Sequence, residues 1–232
     1  MARKGPSKHL ARLTVPASLP VKGKKQNMWL SMPRPGPHKK HESITLLVLL
    51  RDVIGIAKNA YEAKNAIKSG FVLVDGRRVN DERIPIGLMD VIAFPAEKKA
   101  YEMVIRKGKM VPVQHEAKHQ KLCKVVGKHT IAGGKTVLTL HDGRNCLADD
   151  KISVGDSVTF DFVGKKITAV HKLAPGCRCL VVDGKHAGAV AELESVLERK
   201  GSMGNDAKMK GETGEFITAL KYLFVVDEKF KQ

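Results

Sequence analysis

The first 41 residues contain no Asp or Glu. They hold ten Lys or Arg and six of the chain's ten prolines, and so supply +10 of a net charge of +17 over 232 residues. Long apolar runs are also missing. The longest, ITLLVLL at 44–50, stops at Arg51 and Asp52, whereas a membrane span needs roughly 18 to 20 apolar residues. No apolar stretch follows Arg3 and Lys4, so a secretory signal is not expected. Cysteines are few, at 123, 146, 177 and 179. That number excludes a disulfide framework in a chain of this length and fits a reducing, cytosolic setting. Aromatics make up only 5% of the chain, with one tryptophan.

What is present is charge and short-period structure. A sequence pI near 9.8, with its charge piled at one end, points to a polyanion and favours nucleic acid over an anionic membrane surface. In WLSMPRPGPHKKHES, residues 29–43, the alternating prolines 33, 35 and 37 describe an extended rod without backbone ladders. Residues 1–41 therefore read as a basic arm, disordered in the free protein because unopposed charge and proline leave little apolar area to offset the entropy of ordering.

The remaining residues, in a chain 43% hydrophobic, suit two or three small modules. Ser43 is expected to cap a helix from Ile44 to about Ile56, weakened near its end by Gly55. Asn59 followed by Glu62 resembles a capping box, and Gly70 is placed to stop a second helix over Ala60–Ser69 that packs through Ala63, Ala66 and Ile67. FVLV, Asp75-Gly76 and RRV then predict a tight hairpin, Pro85 an interruption, and DVIAF at 90–94 a further strand. From residue 96 short β segments alternate with glycine turns: YEMVI, KMVPV, KLCKVV, KTVLTL, SVTFDFV and KITAV. After a break at Pro175-Gly176, the segments CLVV, AVAEL, GEFITAL and YLFVV suggest a second β module, with 199–214 as a loose loop inside it. The expected fold class is α+β and multidomain: an arm at 1–41, a helix-helix-hairpin module at 42–95, a central all-β domain at 96–173 and a small C-terminal β-barrel at 174–232.

Three motifs invite chemistry and fail, two on spacing and one on its context. GGKT at 133–136 lacks the Walker glycine, whose place is taken by His129, and reads as a turn exposing Lys135. HEAKH at 115–119 matches the zinc-protease pattern, but no apolar helix carries it, Lys118 within it and Lys121 after it stand against a metal, and no third ligand is evident. Cys177 and Cys179 have one residue between them where zinc knuckles usually have two, and their thiolates are expected to face opposite sides of a strand. No metal, cofactor or small-molecule substrate is expected. Asp75 and Asp90 are expected to serve turns.

The helix-helix-hairpin segment is more specific. Arg51-Asp52, then Ala63, Ala66, Ile67, Gly70, Val72, Val74 and Gly76, with Gly87 and Asp90-Val91-Ile92 afterwards, resemble the S-four-type, or alpha-L, RNA-binding module. LVVDGKHAGAVAEL at 180–193 resembles a KOW motif, with Gly184 and Gly188 matching and Ala191 replacing a frequent glycine. Together with GPSKHLARL, MPRPGPHKKHES, GLMDVI, KLCKVV and LTLHDGRN, they make the whole chain resemble the S-four-e family of small-subunit ribosomal proteins, of the archaeal more than the eukaryotic type. The resemblance implies a structural, non-enzymatic component of the cytoplasmic small ribosomal subunit that binds ribosomal RNA and neighbouring ribosomal proteins. Two other readings are a KOW-type transcription or translation factor that visits RNA transiently, and an RNA-modification enzyme or its RNA-binding subunit.

Phosphate contacts are expected from Arg3, Lys4, Lys8, Arg12, Lys22, Lys24, Lys25, Arg34, Lys39 and Lys40 of the arm. Trp29 and His38 are expected to stack on bases or pack locally. Arg51, Lys58, Lys64, Lys68, Arg77 and Arg78 are expected to form a phosphate-binding edge on the module, with the three arginines close together.

Overall fold

The computed structural model describes residues 9–21, 23, 25, 27–115, 119–148, 150–201, 204–211, 214–227 and 230. Arg3, Lys4, Lys8, Lys22 and Lys24 of the expected interface, and Glu116 and Lys118 of the HEAKH segment, lie outside the described residues. The chain divides into two compact units, residues 1–103 with 114–117, and residues 104–113 with 118–232.

In the first unit, Leu46, Leu47, Val48, Leu49 and Leu50 are all buried, as a segment apolar on every side requires. The helix is shorter than expected. Ile44–Thr45 is extended and pairs with Pro85–Ile86, so the α-helical turn α1 covers only Leu46–Val48 before widening into a π segment, Leu49–Ile54. Its cap is Thr45, whose hydroxyl accepts from Val48 N; Ser43 instead donates to the Lys39 carbonyl. Strand pairing holds Thr45 in the extended conformation a cap needs. Gly55, at φ 81°, ends the segment in the left-handed region. Pro85, expected to interrupt, lies within the short Pro85–Ile86 pairing.

The second helix, α2 (Ala60–Lys68), follows its sequence signals closely. Asn59 accepts from Glu62 N, while the Glu62 carboxylate accepts from Lys58 N rather than from its cap. Ala63 and Ile67 are buried and Ala66 is half-buried. Strands Leu73–Val74 and Arg77–Arg78 form the hairpin, with Asp75 and Gly76 both at positive φ, the geometry a two-residue turn of primed type demands. Leu73–Val74 also pairs with Val91–Phe94, which pairs in turn with Lys99–Arg106.

The described part of the arm is not disordered. Leu10–Ala11 pairs with Trp29–Leu30, Arg12–Thr14 forms a 3-10 turn, and Leu10, Val15, Leu19, Val21, Leu30 and Pro33 are buried. The expectation weighed charge and proline and overlooked these apolar side chains, which lend area to a core they could not form alone.

The second unit holds two antiparallel five-stranded sheets. In the first, strands run in the order Asn145–Ala148, Lys135–Leu140, Gln120–Ile131, Ser157–Asp161, Ile167–His171. The long central strand changes partner at a bulge between Val125 and Gly127, and Cys123, Val125, Leu138, Leu140, Val158 and Phe160 face the core. The GGKT segment is a hairpin turn with Gly133 and Gly134 at positive φ and Lys135 exposed. LTLHDGRN serves packing: buried Asp142 pairs with buried Lys121 and with Arg144, whose guanidinium lies over Phe160 and Phe162. Burial pushes the Asp142 carboxyl up, but Lys121, His141 and Arg144 outweigh it and hold the group below the usual carboxylate range.

In the second sheet the order is Gly214–Ala219, Asp206–Gly211, Val190–Leu197, Arg178–Val181, Leu223–Val225. Asp206–Gly211 falls where a loose loop was expected. Its alternation decides the outcome, since Ala207 and Met209 enter the core while Lys208 and Lys210 point away. Lys124 Nζ, from the first sheet, donates to the carbonyls of Lys221 and Leu223, and burial pulls its pKa down. The two cysteine thiols lie together, Sγ to Sγ 3.4 Å, not on opposite sides. Residues two apart on a strand share a face.

Candidate nucleic-acid interface

The site begins at the end of α2. Gly70 N donates to the Ile67 carbonyl and Phe71 N to that of Ala66, a Schellman closure with Gly70 at φ 78°. The hairpin brings Arg78 across this end, where its guanidinium donates to the Lys68 carbonyl at 3.0 Å. A cation suits the negative end of the helix dipole. Gly70 makes room for it, since a Cβ there would lie 2.5 Å from Arg78 Nε. Asp75 fixes the hairpin by accepting from Val91 N, and Asp90 accepts from Gly87 N; both carboxylates serve turns.

Lys68, Arg77 and Arg78 are thus exposed around one helix terminus and one hairpin. Neither Lys68 nor Arg77 has an acidic partner among the described residues. Phe71, directly after Gly70, is 58% exposed, and Tyr61 on the first turn of α2 is 75% exposed. Sequence reasoning assigned Phe71 to a strand and passed over Tyr61 within the expected second helix. The available signal was an aromatic beside a glycine stop and three cations.

Other expected contacts are occupied internally. Arg12 is 4% exposed and binds Asp52 at 2.7 Å, so it serves the core. His38 is buried against Asp90, Nε2 to Oδ2 2.8 Å, and is unavailable for stacking. Arg51 holds Asp52 through both Nε and Nη2. Arg34 pairs with Asp81, Lys39 with Glu42 and Lys64 with Glu82; these exposed pairs are weak and can yield to phosphate. Arg51 is thus tied to its own neighbour, while Arg78 is tied to the end of α2. Lys25 and Lys58 are exposed and Lys40 is half-buried, none with an acidic partner among the described residues. Trp29 is 54% exposed, with His9 tilted against it at 5.3 Å.

His115 ends the strand Lys109–His115 and pairs with Glu102 at 3.3 Å. No group of His, Cys, Asp and Glu able to hold a metal ion occurs among the described residues. No described helix is long and apolar enough to cross a membrane.

A capped helix joined to a hairpin, with exposed cations and aromatics on a strongly basic chain, defines a module for binding a polyanion. Residues 46–92 match the S4 domain, and residues 98–167 match the ribosomal family S4e. The chain is 38% identical over 231 residues to the small ribosomal subunit protein eS4 of Methanosphaera stadtmanae, covering 98% of this chain and 95% of that protein. With its counterpart in Methanocaldococcus jannaschii it shares 36% identity over 240 residues, covering 99% and 98%. The crystal structure of the 30S ribosomal protein S4e from Thermoplasma acidophilum is similar at a TM-score of 0.69 and 27% identity, covering 81% of this chain and 96% of that one. The chain belongs to the S4e family of ribosomal proteins, and its small helical region within a mostly β fold is of that kind.

Proposed function

We propose that this protein is a structural constituent of the small subunit of the cytoplasmic ribosome, where it binds ribosomal RNA and holds it in shape through phosphate contacts. The observation that carries this reading is the cluster of Lys68, Arg77 and Arg78 at the end of α2, inside the region that matches the S4 domain. Such contacts give affinity and register without reading base identity. Phe71, Tyr61 and Trp29 offer π faces on which unpaired bases can stack, each worth about 1–3 kcal/mol in comparable sites. Arm residues Lys25 and Lys40, the weakly paired Arg34 and Lys39, and the cations before residue 9 extend the footprint. Residues 42–95 act as the alpha-L module and 96–173 as the central β domain. Residues 174–232 act as a KOW-like module, supported by the glycine turn at Gly184 and Gly188, both at positive φ.

The C-terminal sheet contributes less to phosphate binding. Arg178 stands opposite Glu192, Glu192 opposite Lys210, and Lys210 opposite Glu215, so its charges cancel along the ladder. This arrangement fits a neighbouring ribosomal protein better than RNA. The role is structural rather than catalytic.

Sedimentation of small subunits through high salt tests the assignment. The protein is expected to remain with the subunit, because a constituent is held by many contacts at once. Its quantitative release into the supernatant would assign it to the transient factors.

A further inference from the structure

We propose that Cys177 and Cys179 form a redox-reactive dithiol, in which Cys177 attacks a low-molecular-weight disulfide and Cys179 resolves the mixed disulfide into an internal bridge. Nothing in the RNA-binding role uses these residues. Their sulfurs lie 3.4 Å apart, and both thiols are free. Their surroundings differ. Cys179 is fully buried among Val181, Ala191 and Leu193, whereas Cys177 is half-buried and lines an open basin of about 830 Å³. Lys172, Arg178 and Lys210 line the same basin together with Glu192 and Asp227, so its charges are mixed and the accessible sulfur is open to a small disulfide.

Position and ionisation agree. The S–H of Cys179 donates to Cys177 and, helped by backbone N–H groups, outweighs burial to bring the Cys177 thiol down to about 7, while Cys179 is pushed up as the proton holder. Burial and the Asp142 charge push Cys146 up instead, and Cys123 is fully buried. The chain therefore contains its own unreactive controls.

The reaction balances without any further reagent. Cys177 thiolate displaces one sulfur of the small disulfide, forming a mixed disulfide and releasing one thiolate. Cys179 then gives up its proton and attacks the Cys177 sulfur, expelling the second thiolate. The protein loses two electrons and the small disulfide gains them. Closure to a bond length near 2.05 Å requires the sulfurs to approach by roughly 1.4 Å.

The test treats the full-length protein with oxidised glutathione at neutral pH, then denatures it, alkylates it and maps its peptides by mass. The peptide holding residues 177 and 179 is expected to resist alkylation and to be two hydrogens lighter, while Cys123 and Cys146 are alkylated. Cys179→Ser and Cys179→Ala are expected to trap glutathione on Cys177. Alkylation of the untreated native wild type needs no variant. At pH 7 the lowered pKa raises the thiolate fraction about fiftyfold, and lower nucleophilicity takes back about tenfold, so Cys177 should react about five times faster than an ordinary thiol. Its rate should rise with a midpoint near pH 7. Two alkyl groups on the treated peptide, a persistent mixed disulfide in the wild type, or a midpoint near 9 would each overturn the proposal.

Discussion

Gly87→Ala is expected to destabilise the first unit by about 3 kcal/mol, His38→Ala by a similar amount, and the double variant by no more than His38→Ala alone. A Cβ at Gly87 would stand 2.4 Å from His38 Cγ and Nδ1, so the ring has to leave its place. Once it leaves, Asp90 loses the 2.8 Å partner that fills its buried surroundings and keeps Gly87 N. Part of the cost is the carboxylate's lost hydrogen bond to His38 and part is the cavity left by the ring. With His38 already truncated, the alanine methyl enters vacated space. Urea unfolding followed by fluorescence of Trp29, the chain's only tryptophan, reads the arm and its unit together. Single variants as stable as wild type would show that the lead-in is a free tail, as its composition alone implies.

Gly188→Ala is expected to be at least as damaging, at about 3 kcal/mol or more, and Gly184→Ala to cost about 1–2 kcal/mol. Both glycines have positive φ, at 87° and 92°, so both variants carry the left-handed penalty. Only Gly188 also meets backbone: its Cβ would lie 2.7 Å from Lys107 N and 3.2 Å from Gly108 N. A flexible side chain could swing away, but a peptide group held in the turn after Lys99–Arg106 cannot. At Gly184 the nearest atoms are those of the Tyr222 ring at 3.8 Å, an ordinary contact. Thermal unfolding of the two variants side by side separates the causes. Equal losses would mean that conformation alone sets the cost and that the close approach does not matter.

Local signals were legible in the sequence. Asn59 caps α2, Gly70 ends it, Asp75-Gly76 turns the hairpin, and each β segment from KMVPV to KITAV contains a strand, although SVTFDFV leaves its strand after Asp161 and KITAV enters its strand at Ile167. Each depends on residues a few positions apart. Pairings across long separations were not legible. Arg12 reaches Asp52 over 40 residues and His38 reaches Asp90 over 52. A basic residue in a basic arm gives no sign that it will be buried. The arm's apolar residues, Leu10, Val15, Leu19, Val21 and Leu30, follow neither a helical nor a strand period, so their common burial emerged only from the fold. Of the cations proposed to contact phosphate, Lys68, Arg77 and Arg78 were named from the sequence, but not their different settings, in which Arg78 also closes the end of α2. It likewise gave no means of separating those cations from Arg12 and Arg51, whose nearest charge is Asp52.

The central claim is that RNA is held by the exposed cations at the end of α2, while the cations paired inside the protein hold the fold. Its most direct test is the salt dependence of binding to small-subunit ribosomal RNA for the wild type, for Lys68→Ala/Arg77→Ala/Arg78→Ala, and for Arg12→Ala. Each lost phosphate contact removes about 0.7 to 0.9 from the slope of log affinity against log salt. The triple variant should therefore show a slope shallower by roughly 2 to 3, with weaker binding at low salt, and Arg12→Ala should keep the wild-type slope. A triple variant with the wild-type slope, or an Arg12→Ala protein that loses a full contact's worth of slope, would contradict this account.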